Sequence, residues 1–300
     1  MQKILITGAN GLLGQKLIAL YNENSEVQTV ATGIEKSRLG QGNYVYHAMD
    51  VTSAQDVDSV ISEVKPDVII NTAALTQVDQ CETDQDLCWN LNVNAVDHLI
   101  QASKKNNCFL LHLSTDFIFD GTAGPYKEDD IPGPISYYGE SKLASEKLLF
   151  ESDIKYAIAR TQLVYGIVPN LSRSNIILWV KKSLEEGKNI KVVNDQWRTP
   201  TLAEDLAKGC ALIAEKKVEG VFHISGEELL TPYDMAMATC EFFDLDKSLI
   251  EEVDGSTFQQ TAKRPPRTGF ILDKAKRILG YQPVSFREGI GVLKSQLTDV

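Results

Sequence analysis

Short apolar runs alternate with amphipathic stretches through the first half of the chain. Residues 3–7 (KILIT), 26–32 (EVQTVAT), 44–50 (YVYHAMD), 67–73 (DVIINTA) and 109–115 (FLLHLST) read as strands, most of them too continuously apolar to face water on either side. Between them, residues 12–23, 53–64 and 86–107 carry apolar positions at helical spacing, the last predicting one long helix. Buried strands separated by helices predict a parallel sheet covered on both faces. With right-handed crossovers, this is an α/β doubly wound sheet of the Rossmann kind.

A polar loop rich in proline and glycine follows at 119–136, long enough to suggest a functional or mobile segment. Beyond it the pattern predicts a helix from Tyr137 and a strand over 155–166. The remainder is looser. Helices are expected at 175–188, 201–217 and 231–244, and strands at 190–195 and 220–225. A basic stretch, 262–267 (AKRPPR), precedes an extended segment and a helix. We expect a dinucleotide-binding domain from residues 1–166 plus about 190–228. Residues of about 167–189 plus 229–300 would form a smaller C-terminal substrate-binding region.

With 300 residues, 43% of them hydrophobic, the chain can bury a sizeable core. A net charge of −11 argues against nucleic acid or an anionic membrane surface as a partner. The five cysteines (Cys81, Cys88, Cys108, Cys210, Cys240) are widely spaced with no CxxC pair, and the four histidines are scattered. The expectation is free thiols and no metal site. No signal peptide or transmembrane run is visible, so a cytoplasmic protein is expected.

Chemistry enters at TGANGLLG (7–14), where Gly8, Gly11 and Gly14 lie between the first strand and the first helix. In that context the glycines permit a tight turn, close backbone approach to a pyrophosphate and close helix–strand packing. The helix N-terminus adds free N–H groups for the phosphate. After the second strand the chain reads Thr32, Gly33, Ile34, Glu35, Lys36, Ser37, Arg38. Lys36 and Arg38 suit a 2′-phosphate and favour NADP(H), while Glu35 suits ribose hydroxyls and keeps NAD(H) open. Further on, Tyr138 and Lys142 are four residues apart, one turn on one helical face. A tyrosine of ordinary pKa, about 10, is a sluggish acid–base group near neutrality, and an ammonium one turn away would lower that value.

GxxGxxG, NTAA (71–74), Ser114–Thr115 at the end of the fifth strand and YxxxK together resemble the extended short-chain dehydrogenase/reductase family. LTQVDQCE (75–82), STDFIFDGTAGPYKEDD (114–130), YYGESKLASEK (137–147), RTQLVYG (160–166) and DQWRTPT (195–201) resemble, more narrowly, the dTDP-4-dehydrorhamnose reductases. That resemblance implies NAD(P)H-dependent reduction of a 4-keto nucleotide-activated deoxysugar, with Thr115, Tyr138 and Lys142 as the catalytic residues. It implies cofactor contacts from Gly8, Asn10, Gly11, Leu12, Leu13, Gly14, Lys36, Arg38, Asp50, Val51, Thr72, Ala73, Ala74, Tyr138 and Lys142. Asn94 would join them through a helix bend and a relay water. Substrate would meet Thr76, Val78, Asp116, Leu163, Arg198 and Arg264, with Arg267 a further candidate for its pyrophosphate. A homodimer follows by the same analogy.

Three positions shape that expectation. Sugar-nucleotide 4,6-dehydratases follow the strand-end threonine with Asp-Glu; here Asp116 is followed by Phe117, which cannot remove a proton. Leu163 stands where the rhamnose-forming reductases carry tryptophan, and Arg198 where they tend to carry a small residue. The resemblance also reaches the NDP-sugar epimerases and the non-catalytic regulatory subunit of methionine adenosyltransferase.

Overall fold

The buried runs become one parallel sheet. In the computed structural model, which describes residues 1–34, 36–169 and 174–297, the first half of the chain folds as β1 (Gln2–Thr7), α1 (Leu12–Asn22), β2 (Val27–Gly33), β3 (Tyr44–Ala48), α2 (Ala54–Val64) and β4 (Val68–Asn71). Next come α3 (Val78–Thr83), α4 (Gln85–Trp89), α5 (Ala95–Asn106), β5 (Phe109–Thr115), α6 (Tyr137–Phe150) and β6 (Tyr156–Thr161). The remainder comprises β7 (Val164–Tyr165), α7 (Ile176–Glu185), β8 (Ile190–Val193), β9 (Thr201–Leu202), α8 (Ala203–Lys216) and β10 (Gly220–His223). The chain closes with α9 (Pro232–Phe242), β11 (Ile250–Val253), α10 (Asp273–Leu279) and α11 (Phe286–Leu297).

Seven strands pair in the order β10-β6-β5-β4-β1-β2-β3, all parallel. Alternate residues along them feed two cores. Ile4, Ile6, Ile70 and Leu111 pack with α1 and α8, whereas Leu5, Ile69, Leu110 and Ile158 pack with α2 and α5. The order reverses between β1 and β4, opening a crevice at their carboxyl ends where ligands bind in such sheets.

Three differences from the sequence reading affect the site. The expected helix over 86–107 is broken into α4 and α5 by a π turn, Asn90–Asn94. The expected strand over 155–166 is interrupted at Leu163, which takes a left-handed φ of 38°, and β7 leaves the main sheet to pair with β9. β8 pairs with β11 in a separate two-stranded sheet, so the stretch from about 190 does not rejoin the main sheet; α8 and β10 do.

The loop at 119–136 is firmly held, contrary to the mobile segment its composition suggested. The Tyr126 ring stacks on Phe119 at 4.1 Å, and its hydroxyl accepts from Gly121 N (3.0 Å) and Ala123 N (3.1 Å) and donates to Asp120 (2.9 Å). Arg160 Nη1 donates to the Glu128 carbonyl at 3.0 Å. The same arginine makes a buried two-pronged pair with Glu146 of α6, at 2.9 and 2.7 Å.

Candidate active site

The phosphate loop is built as its glycines require. Gly8 has φ 63°, and Gly11 N donates to Gly8 O at 2.9 Å, closing the turn. A Cβ on Gly14 would come within 2.5 Å of Gly8 O, so only glycine lets α1 start this close to β1. Gly11 caps α1 without a side-chain hydrogen bond and is exposed, which leaves the N-terminal N–H groups facing the crevice. Leu12 and Leu13 are half-buried behind it. The cradle fits a dinucleotide pyrophosphate.

Asn10 organises the next loop. Its Oδ1 accepts from Arg38 N at 2.9 Å, and its Nδ2 donates to the Lys36 carbonyl at 3.3 Å. This brings the exposed Lys36 and Arg38 beside the phosphate loop. Glu35, the competing candidate for ribose, lies outside the described residues. On the other side, Thr72 Oγ1 donates to Thr7 O at 2.6 Å, setting Ala73 against Gly8, with Ala74 half-buried next in the chain. Asp50 Oδ1 accepts from Thr52 N and Oγ1, a turn closure that places Val51.

Thr115 ends β5, and its Oγ1 donates to Asp116 Oδ1 at 3.0 Å. Tyr138 reaches the same place because α6 starts close to that strand end. Ser136 caps the helix, accepting from Gly139 N at 3.3 Å, and a Cβ on Gly139 would run into the Phe117 carbonyl. The Tyr138 phenol is buried and edge-on to Phe117, with the Thr115 hydroxyl beside it. Burial pushes its pKa well above 10; the neighbouring Thr115 hydroxyl works against this, and Asp116 and the thiols of Cys81 and Cys88 add to it. The phenol therefore keeps its proton across the neutral range. Tyr137 packs near Trp89, centroids 6.3 Å apart, while Ser114 Oγ is buried without a hydrogen-bond partner among the described residues.

Lys142 is also buried, which lowers its pKa to about 8 against the opposing charges of Glu146 and Cys88. Its Nζ lies 3.1 Å from Nε2 of His112, a residue the sequence reading passed over. The available signal was one titratable side chain inside the apolar run FLLHLS.

Asn94, expected at a relay water, is exposed, and its side chain donates to its neighbour Asn90 (3.3 Å). The buried amide of the π turn is Asn92. It accepts from Leu75 N (2.8 Å) and donates to Leu75 O (3.1 Å) and Ser141 Oγ (3.0 Å), tying the turn after β4 to the residue beside Lys142. The extra residue that a π turn accommodates rotates the helix face here, with Asn92 turned inward and Asn94 outward.

Three candidate substrate residues, Arg198, Asp116 and Arg264, do not stand free. Arg198 is buried, donating to the carbonyls of Trp197 and Pro265 (both 2.7 Å), with Nε 3.5 Å from Asp116 Oδ2. Asp116 also accepts from Thr115 and Thr268, so both expected ligand groups are spent within the protein. Arg264 grips Asp79 at 2.9 and 2.6 Å, holding that carboxyl down at about 2. Leu163 is 43% exposed rather than lining an enclosed pocket. Arg267 lies over the Trp197 ring at 5.7 Å; Thr76 is exposed, and Val78 packs beside Cys81, Cys88 and Tyr138.

Fold and site together define a dinucleotide-binding α/β protein with a Thr-Tyr-Lys constellation at the switch point of its sheet. Residues 1–298 match the family model described as RmlD substrate binding domain, and the chain belongs to that family. It is 33% identical over 296 residues to methionine adenosyltransferase 2 subunit beta of Mus musculus, covering 96% of this chain and 86% of that protein. It is also 33% identical over 305 residues to dTDP-4-dehydrorhamnose reductase of Aggregatibacter actinomycetemcomitans, covering 97% of each. The structure of dTDP-4-dehydrorhamnose reductase from Bacillus anthracis in complex with NADP superposes with a TM-score of 0.85 at 28% identity, covering 99% of this chain and 100% of that one.

Proposed function

We propose that the protein reduces the 4-keto group of a nucleotide-activated deoxysugar. The observation that carries this reading is a buried phenol, Tyr138, next to the strand-end hydroxyl of Thr115 and one helical turn before the buried Lys142. Gly8, Gly11, Gly14 and the open end of α1 would hold the pyrophosphate of a nicotinamide dinucleotide. Lys36 and Arg38 would meet its 2′-phosphate, which favours NADPH. When bound, that cofactor supplies the hydride to the carbonyl carbon. Thr115 orients the carbonyl oxygen, and Tyr138 delivers its proton there, completing the alcohol. The charge of Lys142 stabilises the phenolate left behind. Phe117, in place of a carboxylate, leaves no base for dehydration. Five buried free thiols suit a reducing, cytoplasmic compartment, and a homodimer belongs to the same reading.

NADPH oxidation against a panel of 4-keto nucleotide sugars tests the assignment, with turnover of at least one expected. The 33% identity to a methionine adenosyltransferase subunit supports a second reading, a cofactor-binding regulatory chain. Tight NADPH binding with no turnover on any member of the panel would favour it. Stoichiometric NAD retained through purification would point instead to an epimerase.

A further inference from the structure

Among the described residues Lys142 forms no ion pair; its carboxylate neighbour Glu146 is committed to Arg160. What holds its amine is a buried neutral chain crossing the sheet. Lys142 Nζ is 3.1 Å from His112 Nε2, His112 Nδ1 is 3.1 Å from the Asn71 amide, and Asn71 meets Thr7 Oγ1 at 2.6 Å. Ser145 Oγ also lies 3.1 Å from Nε2 and 2.7 Å from the Lys142 carbonyl, and its rotatable hydroxyl can donate to a bare Nε2 or, with its proton on that carbonyl, accept from Nε2–H.

Proton counting gives this chain two self-consistent states. An ammonium only donates, so a charged Lys142 requires a bare Nε2 and a proton on Nδ1, and Asn71 must present its oxygen to that proton. A neutral amine has a lone pair that accepts from Nε2–H. Nδ1 is then bare and accepts from the Asn71 N–H, leaving the Asn71 oxygen for the Thr7 hydroxyl. The imidazole itself stays uncharged, because burial and Lys142 push its pKa well below 6.5. The other ionisable groups facing Lys142 are Glu146 of α6 and Cys88 of α4, with Tyr138 one turn earlier.

We propose that His112 is a positioning residue for Lys142 whose tautomer follows the lysine's charge: Nδ1–H beside the ammonium, Nε2–H beside the amine. Its catalytic meaning rests on the reductase reading, in which the ammonium is needed and Nδ1–H is the working tautomer. The tautomer itself does not rest on that reading.

The test is imidazole ¹⁵N NMR of the full chain across the titration of Lys142, whose pKa is about 8, with His112 assigned among the four histidines from a His112→Gln spectrum. The His112 pattern is expected to pass from Nδ1–H to Nε2–H as pH rises through that value, without an imidazolium signal. One unchanging tautomer, or an imidazolium, overturns the proposal. In kinetics, His112→Leu removes the acceptor and should move the alkaline limb of kcat/KM down by about one pH unit, with His112→Gln restoring it. Equal profiles for Leu and Gln would reduce His112 to packing. If the wild-type chain turns over no ketone, or the Leu variant does not fold, the NMR result on the wild type decides alone.

Discussion

Arg198 Nε sits 3.5 Å from Asp116 Oδ2, with both side chains buried, and the pair joins the end of β5 to the segment around Pro265. Burial raises the Asp116 pKa, and Arg198 opposes that rise. Removing the carboxylate strands a guanidinium. Asp116→Ala is therefore expected to cost about 3–5 kcal/mol of unfolding free energy, as is usual when one partner of a buried pair is lost. Denaturant melts check this, and adding Arg198→Met to the same chain should recover much of the loss.

That pair also marks what the sequence left unread. β1, β4 and β5 were legible because each is a largely apolar run, and the Gly8–Gly14 turn and the Tyr138–Lys142 spacing are strictly local features. Asp116 and Arg198 lie 82 residues apart in sequence (198 − 116), and Arg264 and Asp79 lie 185 apart. No local pattern announces that such charges answer each other instead of a ligand. The π turn was hidden for a different reason: Asn90–Asn94 keeps helical spacing on both sides, so its rotation of Asn92 inward shows only in three dimensions.

Tyr138→Phe removes the proton donor while keeping the ring edge-on to Phe117. Ketone reduction is expected to fall by a factor of about 10² or more, the usual contribution of a positioned acid. NADPH affinity, measured by fluorescence titration, should stay within a few-fold. Reduction close to the wild-type rate would remove Tyr138 from the chemistry.

The Asn10 side chain holds the backbone at Lys36 and Arg38, so cofactor choice has two separable parts. Arg38→Ala should weaken NADPH by about tenfold or more, the worth of a charge-assisted hydrogen bond, and leave NADH nearly unchanged. Asn10→Ala should weaken both by disordering the loop. Parallel titrations with the two cofactors measure this, and equal losses in Arg38→Ala would show that no 2′-phosphate is read there.

Lys142 gives a pH signature whose sign is fixed by its burial. Its pKa falls from 10.5 to about 8 on folding. Below about 8 both folded and unfolded chains carry the proton, and the full cost of burying the ammonium is present. Between about 8 and 10.5 the unfolded chain binds more protons, so this residue makes stability rise with pH through that window. Activity runs the other way: the ammonium that supports Tyr138 is lost as pH passes about 8, so kcat/KM should decline above it. Replacing Lys142 with Met should flatten the stability slope and collapse turnover together. Melting temperatures of both chains from pH 7 to 10, with buffer enthalpies matched, measure the first effect. A wild-type slope no steeper than that of the Met variant would mean that Lys142 is not the group titrating there.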